Sequence, residues 1–249
     1  MDESLWPEIG RGGEAYVLKG ELTQIKGLGG ILSSEKPITV AKRINLGSPV
    51  YNYQGHETFC INVILRILDE YFKGQKEYSH NHIPRPLGSF NDREKAGYYY
   101  EFVEGNEGFP SLIMYADRGQ VLVGMEEWNE FCGLFNSFGF VVDADKIESS
   151  DANYKNILLH GSWNQEELDI TGKHHPRWKR IDFGYSSLPF KYEKFLGEME
   201  RYHDVLGGRY ELTMLSARYC KHENLTQGEI KELENSVLQF RKDMISEII

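Results

Sequence analysis

The chain has 249 residues, of which 40% are hydrophobic and 27% charged, with a net charge of −10. That is enough apolar material for one large domain or two small lobes with a sizeable core, and it excludes an extended disordered chain. The acidic balance also argues against a broad nucleic-acid or anionic-membrane face, since both need basic charge.

Cys60, Cys132 and Cys220 are odd in number and far apart in apolar helical patterns. They read as reduced core thiols, which predicts a reducing, cytoplasmic location. The opening MDESLWPEIG lacks the basic and apolar regions of a signal peptide. No stretch reaches the roughly 18 apolar residues that span a bilayer, so no membrane partner is expected.

In chain order, EAYVLKGEL (14–22) alternates as a strand does and PITVAKRINL (37–46) predicts a second strand. Between them GLGGILSSEKP reads as a Gly/Ser-rich hairpin connection. From Glu57 to Phe72, Cys60, Val63, Ile64, Ile67, Leu68 and Tyr71 recur at helical spacing. HIPRPLGSF and GYYYEFVEG resume strand character across the turn-rich NDREKAG.

The pattern breaks at 105–123, which predicts a division into residues 1–105 and 106–249. Beyond it, Trp128, Phe131, Cys132, Phe135 and Phe138 form one helical stripe. PRWKRIDFG is strand-like up to Ile181. Two helical patterns close the chain, the last opened by a capping box, Thr226 with Glu229, ahead of Ile230, Leu233, Val237, Phe240 and Met244.

Four local signals carry chemistry. Gly10, Gly12 and Gly13 lie just before a strand, where glycine lets backbone N–H groups approach phosphate oxygens; a plain hairpin turn is the alternative. It is not a Walker loop, and a strand follows where a Rossmann fingerprint needs a helix. Val40-Ala41-Lys42 places a lysine in an apolar strand, either as a solvated face or as a phosphate clamp. Glu57 or its rival Glu70 is placed to pair with such a lysine, and an exposed helix-start glutamate is the alternative. Finally Asp151, Asn156 and Asp182 are oxygen donors at strand ends, a set that suits Mg²⁺ and a phosphorylated ligand.

The order glycine loop, strand lysine, helix glutamate, Asp-x4-Asn, Asp-Phe-Gly resembles the protein kinase-like superfamily over roughly residues 9 to 187. The loop Gly10-Arg11-Gly12-Gly13-Glu14-Ala15-Tyr16-Val17 follows the family's G-x-G-x-x-G-x-V with alanine for the third glycine. Val-Ala-Lys matches the V-A-I-K type, and EFVEG (101–105) falls at the hinge, with Glu101 and Val103 at the adenine.

The resemblance implies an α+β, two-lobed kinase-like fold, with an N-lobe of antiparallel sheet plus one helix and a mostly helical C-lobe. It implies ATP and Mg²⁺ as cofactors and a hydroxyl-bearing substrate, protein or small molecule. Gly10, Arg11, Gly12, Gly13, Val17, Ala41, Lys42, Glu101 and Val103 would bind nucleotide, with Glu57 holding Lys42. Asn156 and Asp182 would hold the metal, and Asp151 would take or orient the substrate proton.

Departures are informative. His-Arg-Asp is here Ser149-Ser150-Asp151, which removes the usual docking arginine for a phosphorylated activation loop. Lys155 stands where a cation could meet the transferring phosphate; a solvated surface lysine is the alternative. Asp143 and Asp145 have no asparagine five positions on, so Asp151 is preferred. An insertion separates Leu159 from Arg177, at about 0.6 kcal/mol per doubling of loop length. His174-His175 within it lack partners at metal-ligand spacing. No Ala-Pro-Glu follows Asp-Phe-Gly, and YHDVLGG (202–208) comes early for a helix that would buttress the catalytic loop. The alternative to an active enzyme is a pseudokinase acting as a nucleotide-binding or scaffolding module.

Overall fold

The structure is a computed structural model describing residues 3–12, 15–46, 55–75, 81–92, 95–104, 106–107, 130–140, 157–159, 178–181 and 192–249. These divide into two compact units: residues 1–67, 84–102 and 203–249, and residues 68–83 and 103–202. The chain passes from the first to the second at residues 67–68 and again at 102–103.

The first unit is built on a five-stranded antiparallel sheet in the order β1-β2-β3-β5-β4. Its strands are β1 (Glu8–Arg11), β2 (Ala15–Ile25), β3 (Leu32–Asn45), β4 (Pro86–Asn91) and β5 (Ala96–Glu101). Strand β3 begins at Leu32, inside the stretch expected to be a loop. The β2–β3 ladder runs past a register shift between Leu22 and Gln24 to pair Gln24 with Ser33 and Ile25 with Leu32, so the turn contracts to Lys26–Ile31.

Between β3 and β4 the chain forms helix α1 (Gly55–Gln75), and Phe59, Cys60, Val63, Ile64 and Leu68 on it are fully buried. Its buried polar group Asn62 is satisfied by donating to the Thr58 carbonyl at 2.7 Å.

The C-terminal helices, α4 (Gly208–Cys220) and α5 (Gln227–Ser246), belong to this same unit. This differs from the expected helical lobe of 106–249. The physical reason is Arg241, completely buried on α5. Its guanidinium donates to the carbonyls of Leu87 (2.8 Å), Leu28 (3.0 Å), Gly30 (2.8 Å) and Ile25 (2.7 Å). The glycines of the β2–β3 turn make that approach possible. A Cβ on Gly27 would stand 2.5 Å from Arg241 Cζ. One on Gly29, whose φ is +84°, would stand 2.3 Å from the Glu234 carbonyl oxygen. The Thr226–Glu229 capping box opens α5 as its sequence predicts.

In the second unit, residues 130–137 form helix α2, and the predicted stripe is its core: Phe131, Phe135 and Phe138 are buried. Phe131 packs against Phe135 with tilted rings 4.6 Å apart and meets Trp178 edge-on at 5.1 Å. Trp128 lies outside the described residues. Helix α3 (Tyr192–Arg201) adds Phe195 and Met199. A small antiparallel sheet joins β6 (Asn106–Glu107), β7 (Ile157–Leu159) and β8 (Trp178–Arg180) in the order β6-β7-β8.

Candidate functional site

Gly10 and Arg11 end β1, with Gly10 opposite Val17 and Arg11 opposite Tyr16 on β2. Gly12 closes the turn by donating to the Ala15 carbonyl at 2.8 Å; Gly13 lies outside the described residues. A Cβ on Gly10 would meet nothing within 4 Å, so the protein's own packing does not demand glycine there. Arg11 folds back along its strand. Its guanidinium forks onto Glu8 at 2.8 and 2.5 Å and lies 4.9 Å from the Tyr16 ring, and the hydrogen bond from Arg11 holds the Glu8 carboxyl below its ordinary range.

Successive residues of a strand point to opposite faces, and this decides the geometry of Val40-Ala41-Lys42-Arg43. Lys42 lies opposite Tyr99 on β5, on the face that carries Phe90. Its ammonium is 4.5 Å from the Phe90 ring and 5.3 Å from that of Tyr99, and it pairs directly with Glu3 in the 3₁₀ turn Glu3–Leu5. The Tyr99 hydroxyl also donates to Glu3, at 3.4 Å, and burial followed by that carboxylate pushes the phenol up. Trp6 closes the same face: a Cβ on Gly20 would lie 1.9 Å from Trp6 Cε2.

Ala41 and Arg43 point the other way. Arg43 stands between Val17 on β2 and Tyr98 on β5, and Tyr98 is paired in turn with Ser89 on β4. The start of α1 lies against this face, where His56 Nδ1 meets the Ser89 hydroxyl at 2.8 Å. Burial, then the Arg241 charge, lowers the His56 pKa and favours the neutral ring.

The expected Lys42–Glu57 pair is therefore not formed. The carboxylate that meets Lys42 is Glu3, and Lys42 lies on the sheet face turned away from α1. Glu57 engages the end of α4 instead: its carboxylate is 3.3 Å from His222 Nε2, and its carbonyl accepts from the Cys220 thiol at 3.4 Å. Glu70 belongs to the second unit. Of the expected nucleotide-binding residues, Val17 and Ala41 share a face, Lys42 does not, and the cation that shares theirs is Arg43. Ala41 and Arg43, two residues apart on one strand, must face the same way.

At the end of β5, the Glu101 carboxylate is paired with Arg85, and its N–H donates to the Arg85 carbonyl at 3.0 Å. Val103 is buried in the second unit. Asp151, Lys155, Asn156 and Asp182 lie outside the described residues, as do His174 and His175. The strands they adjoin are described. Ile157, which follows Asn156, pairs with Arg180, two residues before Asp182, and Leu159 pairs with Trp178. Strand β8 is anchored by His82, whose ring stacks on Trp178 at 3.7 Å and whose carbonyl accepts from the Arg180 N–H at 2.9 Å. Asp204 of YHDVLGG is exposed beside His203, not a buried buttress. Among the described residues, no helix is long and apolar enough to cross a membrane, and no group of three or more His, Cys, Asp and Glu residues could hold a metal ion.

The chain matches no protein-family model and no curated protein. Similar solved structures include two double-substituted forms of the PknI kinase domain of Mycobacterium tuberculosis. Each is 13% identical at a TM-score of 0.36, over 94% of this chain and 93% of that one. Rad53 in complex with AMP-PNP is 18% identical at a TM-score of 0.35, over 97% of this chain and 58% of that one.

Proposed function

We propose that the protein is an ATP- and Mg²⁺-dependent phosphotransferase of atypical kinase type, acting on a hydroxyl of a protein serine or threonine or of a small molecule. The observation that carries this reading is the β7–β8 register. Pairing Ile157 with Arg180 ties the strand that Asn156 enters to the strand that leads to Asp182. The ladder thus joins the strand that follows Asn156 in sequence to the strand that precedes Asp182, although 26 positions separate those two residues. A carboxylate and an amide oxygen are hard donors of the kind Mg²⁺ takes, so the residues fit the ion.

In this reading the backbone at Gly10, Gly12 and Gly13 cradles phosphate, with room beside Gly10 for a ligand. Val17 and Ala41 flank the base, and the chain around Glu101 and Val103 offers it backbone groups. Asn156 and Asp182 hold Mg²⁺, which supplies neutralisation of the charge on the phosphates. Asp151 orients the acceptor hydroxyl and takes its proton as the oxygen bonds to the γ-phosphorus and the bond to the bridging oxygen of the departing ADP breaks. Lys155 meets the charge that develops on the transferred group.

The test is thermal stability with and without Mg-ATP in wild type and Asp182→Ala, followed by phosphate transfer in Asp151→Asn. Ligand at a hundredfold over its dissociation constant stabilises by about 2.7 kcal/mol. The expected result is a magnesium-dependent shift that Asp182→Ala loses, and turnover that Asp151→Asn loses without losing the shift. Absence of any shift in wild type overturns the reading. The Ser149-Ser150-Asp151 departure favours one second reading, a pseudokinase module, and binding without transfer to any acceptor would establish it.

A further inference from the structure

We infer that the sheet face carrying Lys42 is a docking seat for a linear segment of a partner protein, one that presents a carboxylate and, three residues on, a large aromatic ring. The chain's own Glu3–Trp6 occupies that seat in cis and shows what fits it. The face is turned away from Val17, Ala41 and α1, so the seat stands apart from the proposed nucleotide site.

Cross-strand register places the two halves of the seat side by side. Lys42 lies opposite Leu18 on β2 and Tyr99 on β5, and Gly20, two residues along β2 from Leu18, lies opposite Val40. Gly20 therefore shares the face of Lys42. Its missing side chain makes the aromatic half: a Cβ there would lie 1.9 Å from Trp6 Cε2 and 2.0 Å from Cδ2, so the indole rests on bare backbone. The other half is polar. The Lys42 side chain is only 13% exposed, and its ammonium pairs with Glu3 and lies over the Phe90 and Tyr99 rings. An ammonium buried to that extent needs a carboxylate, because its lost hydration is otherwise uncompensated. The Tyr99 hydroxyl donates to the same carboxylate at 3.4 Å.

The spacing within the occupant follows from its turn. The Trp6 N–H donates to the Glu3 carbonyl at 3.3 Å and closes one 3₁₀ turn, in which residues three apart eclipse. Glu3 and Trp6 thus both face the sheet, whereas Leu5 between them is 80% exposed. The cis occupant is also an imperfect fit. Trp6 is buried, yet its indole N–H meets no acceptor among the described residues, which is a standing cost. One ion pair, one hydrogen bond and the indole's contact with Gly20 hold the turn, and attachment adds an effective concentration of roughly millimolar. A partner segment that lacks that orphan donor, or brings an acceptor for it, displaces the turn.

The test uses the full chain opened at the seat, Glu3→Gln with Trp6→Gly, beside wild type, each with its folded state checked by circular dichroism. The probe is a fluorescein-labelled peptide of residues 1–8, MDESLWPE, followed by anisotropy. The opened chain should bind the probe at least about tenfold more tightly than wild type, whose own segment competes. Adding Lys42→Met or Gly20→Ala to the opened chain should weaken binding at least about tenfold, because each removes one half of the seat. Absence of binding to a folded opened chain overturns the inference, and so does binding indifferent to both Lys42 and Gly20. Should the opened chain fail to fold, Glu3→Gln alone decides: it should take up the probe at least about threefold more tightly than wild type, and equal affinity overturns the inference. Sedimentation of wild type as a dimer that Glu3→Gln dissolves would give the seat to a second copy and overturn its assignment to a separate partner.

Discussion

Replacing Arg241 by methionine should unfasten the C-terminal helix from the sheet, and the size of the effect follows from its contacts. The guanidinium makes four hydrogen bonds of 2.7–3.0 Å to carbonyls of β2, the β2–β3 turn and β4. Hydrogen bonds to a charged group are each worth about 1.5–3 kcal/mol, roughly 6–12 kcal/mol together. Against this stands the cost of burying the charge, which is several kcal/mol. That burial lowers the Arg241 pKa to about 10, so the group remains protonated at neutral pH. Methionine fills much of the space without the charge and leaves four carbonyls short of a donor. The balance predicts a loss of about 3–4 kcal/mol. It corresponds to a fall of roughly 6–16 °C in midpoint for a chain of this size. Chemical denaturation followed by far-ultraviolet dichroism measures it, with Arg241→Lys as the control that keeps the charge but not the fork; its loss should be smaller. A loss below about 1 kcal/mol for Arg241→Met, or a gain of the kind seen when buried charges are repacked, would refute the reasoning.

Gly20→Ala should expel Trp6, because the new Cβ would fall 1.9 Å from the indole. A red-shifted tryptophan emission, absent when Trp6→Phe is added, and a loss of about 1–3 kcal/mol are expected; unchanged emission would show that the segment is not seated there. Thr226→Ala should cost about 1 kcal/mol through the lost cap on α5, measured by denaturation, and parity with wild type would contradict the capping geometry. In acid, Glu229 gives a signed prediction. Hydrogen bonds from the Arg218 side chain and then from Thr226 lower its pKa from 4.5 to about 2 in the folded state. Its contribution is therefore complete above pH 4.5 and fades as the pH falls toward 2, and an acid titration of Glu229→Gln should lack that component.

Strands, helix and capping box were legible in the sequence because each depends on a local period or a fixed spacing. Phe131, Phe135 and Phe138 follow a helical stripe, and the stripe is the core of α2. The turn between β2 and β3 misled because Gly27, Gly29 and Gly30 look like loop punctuation. What they do is bring the chain close to a helix more than 200 residues away, and no local pattern reports a partner so distant. The same long-range contact explains why α5 joins the sheet unit and not the helical remainder: a buried arginine reads in sequence as one more charge on an exposed helix face.

Strand β3 shows where residue type alone stops being informative. A motif gives Lys42 by its charge, whereas the strand assigns its face by parity. In an extended strand the position of a side chain relative to its neighbours fixes its face before its chemistry has any say. Counted from Ala41, the side chain two positions on is Arg43, and it shares the face of Val17. Lys42, one position on, must point away, where Glu3 and two aromatic rings receive it. Exchanging the two residues, as Lys42→Arg with Arg43→Lys, keeps composition and charge while placing lysine opposite Val17 and arginine beside Glu3. If parity governs, the exchanged arginine should still hold Glu3 and leave Trp6 emission unchanged, whereas Lys42→Met should loosen the N-terminal segment and red-shift it; no shift in Lys42→Met would contradict the pairing.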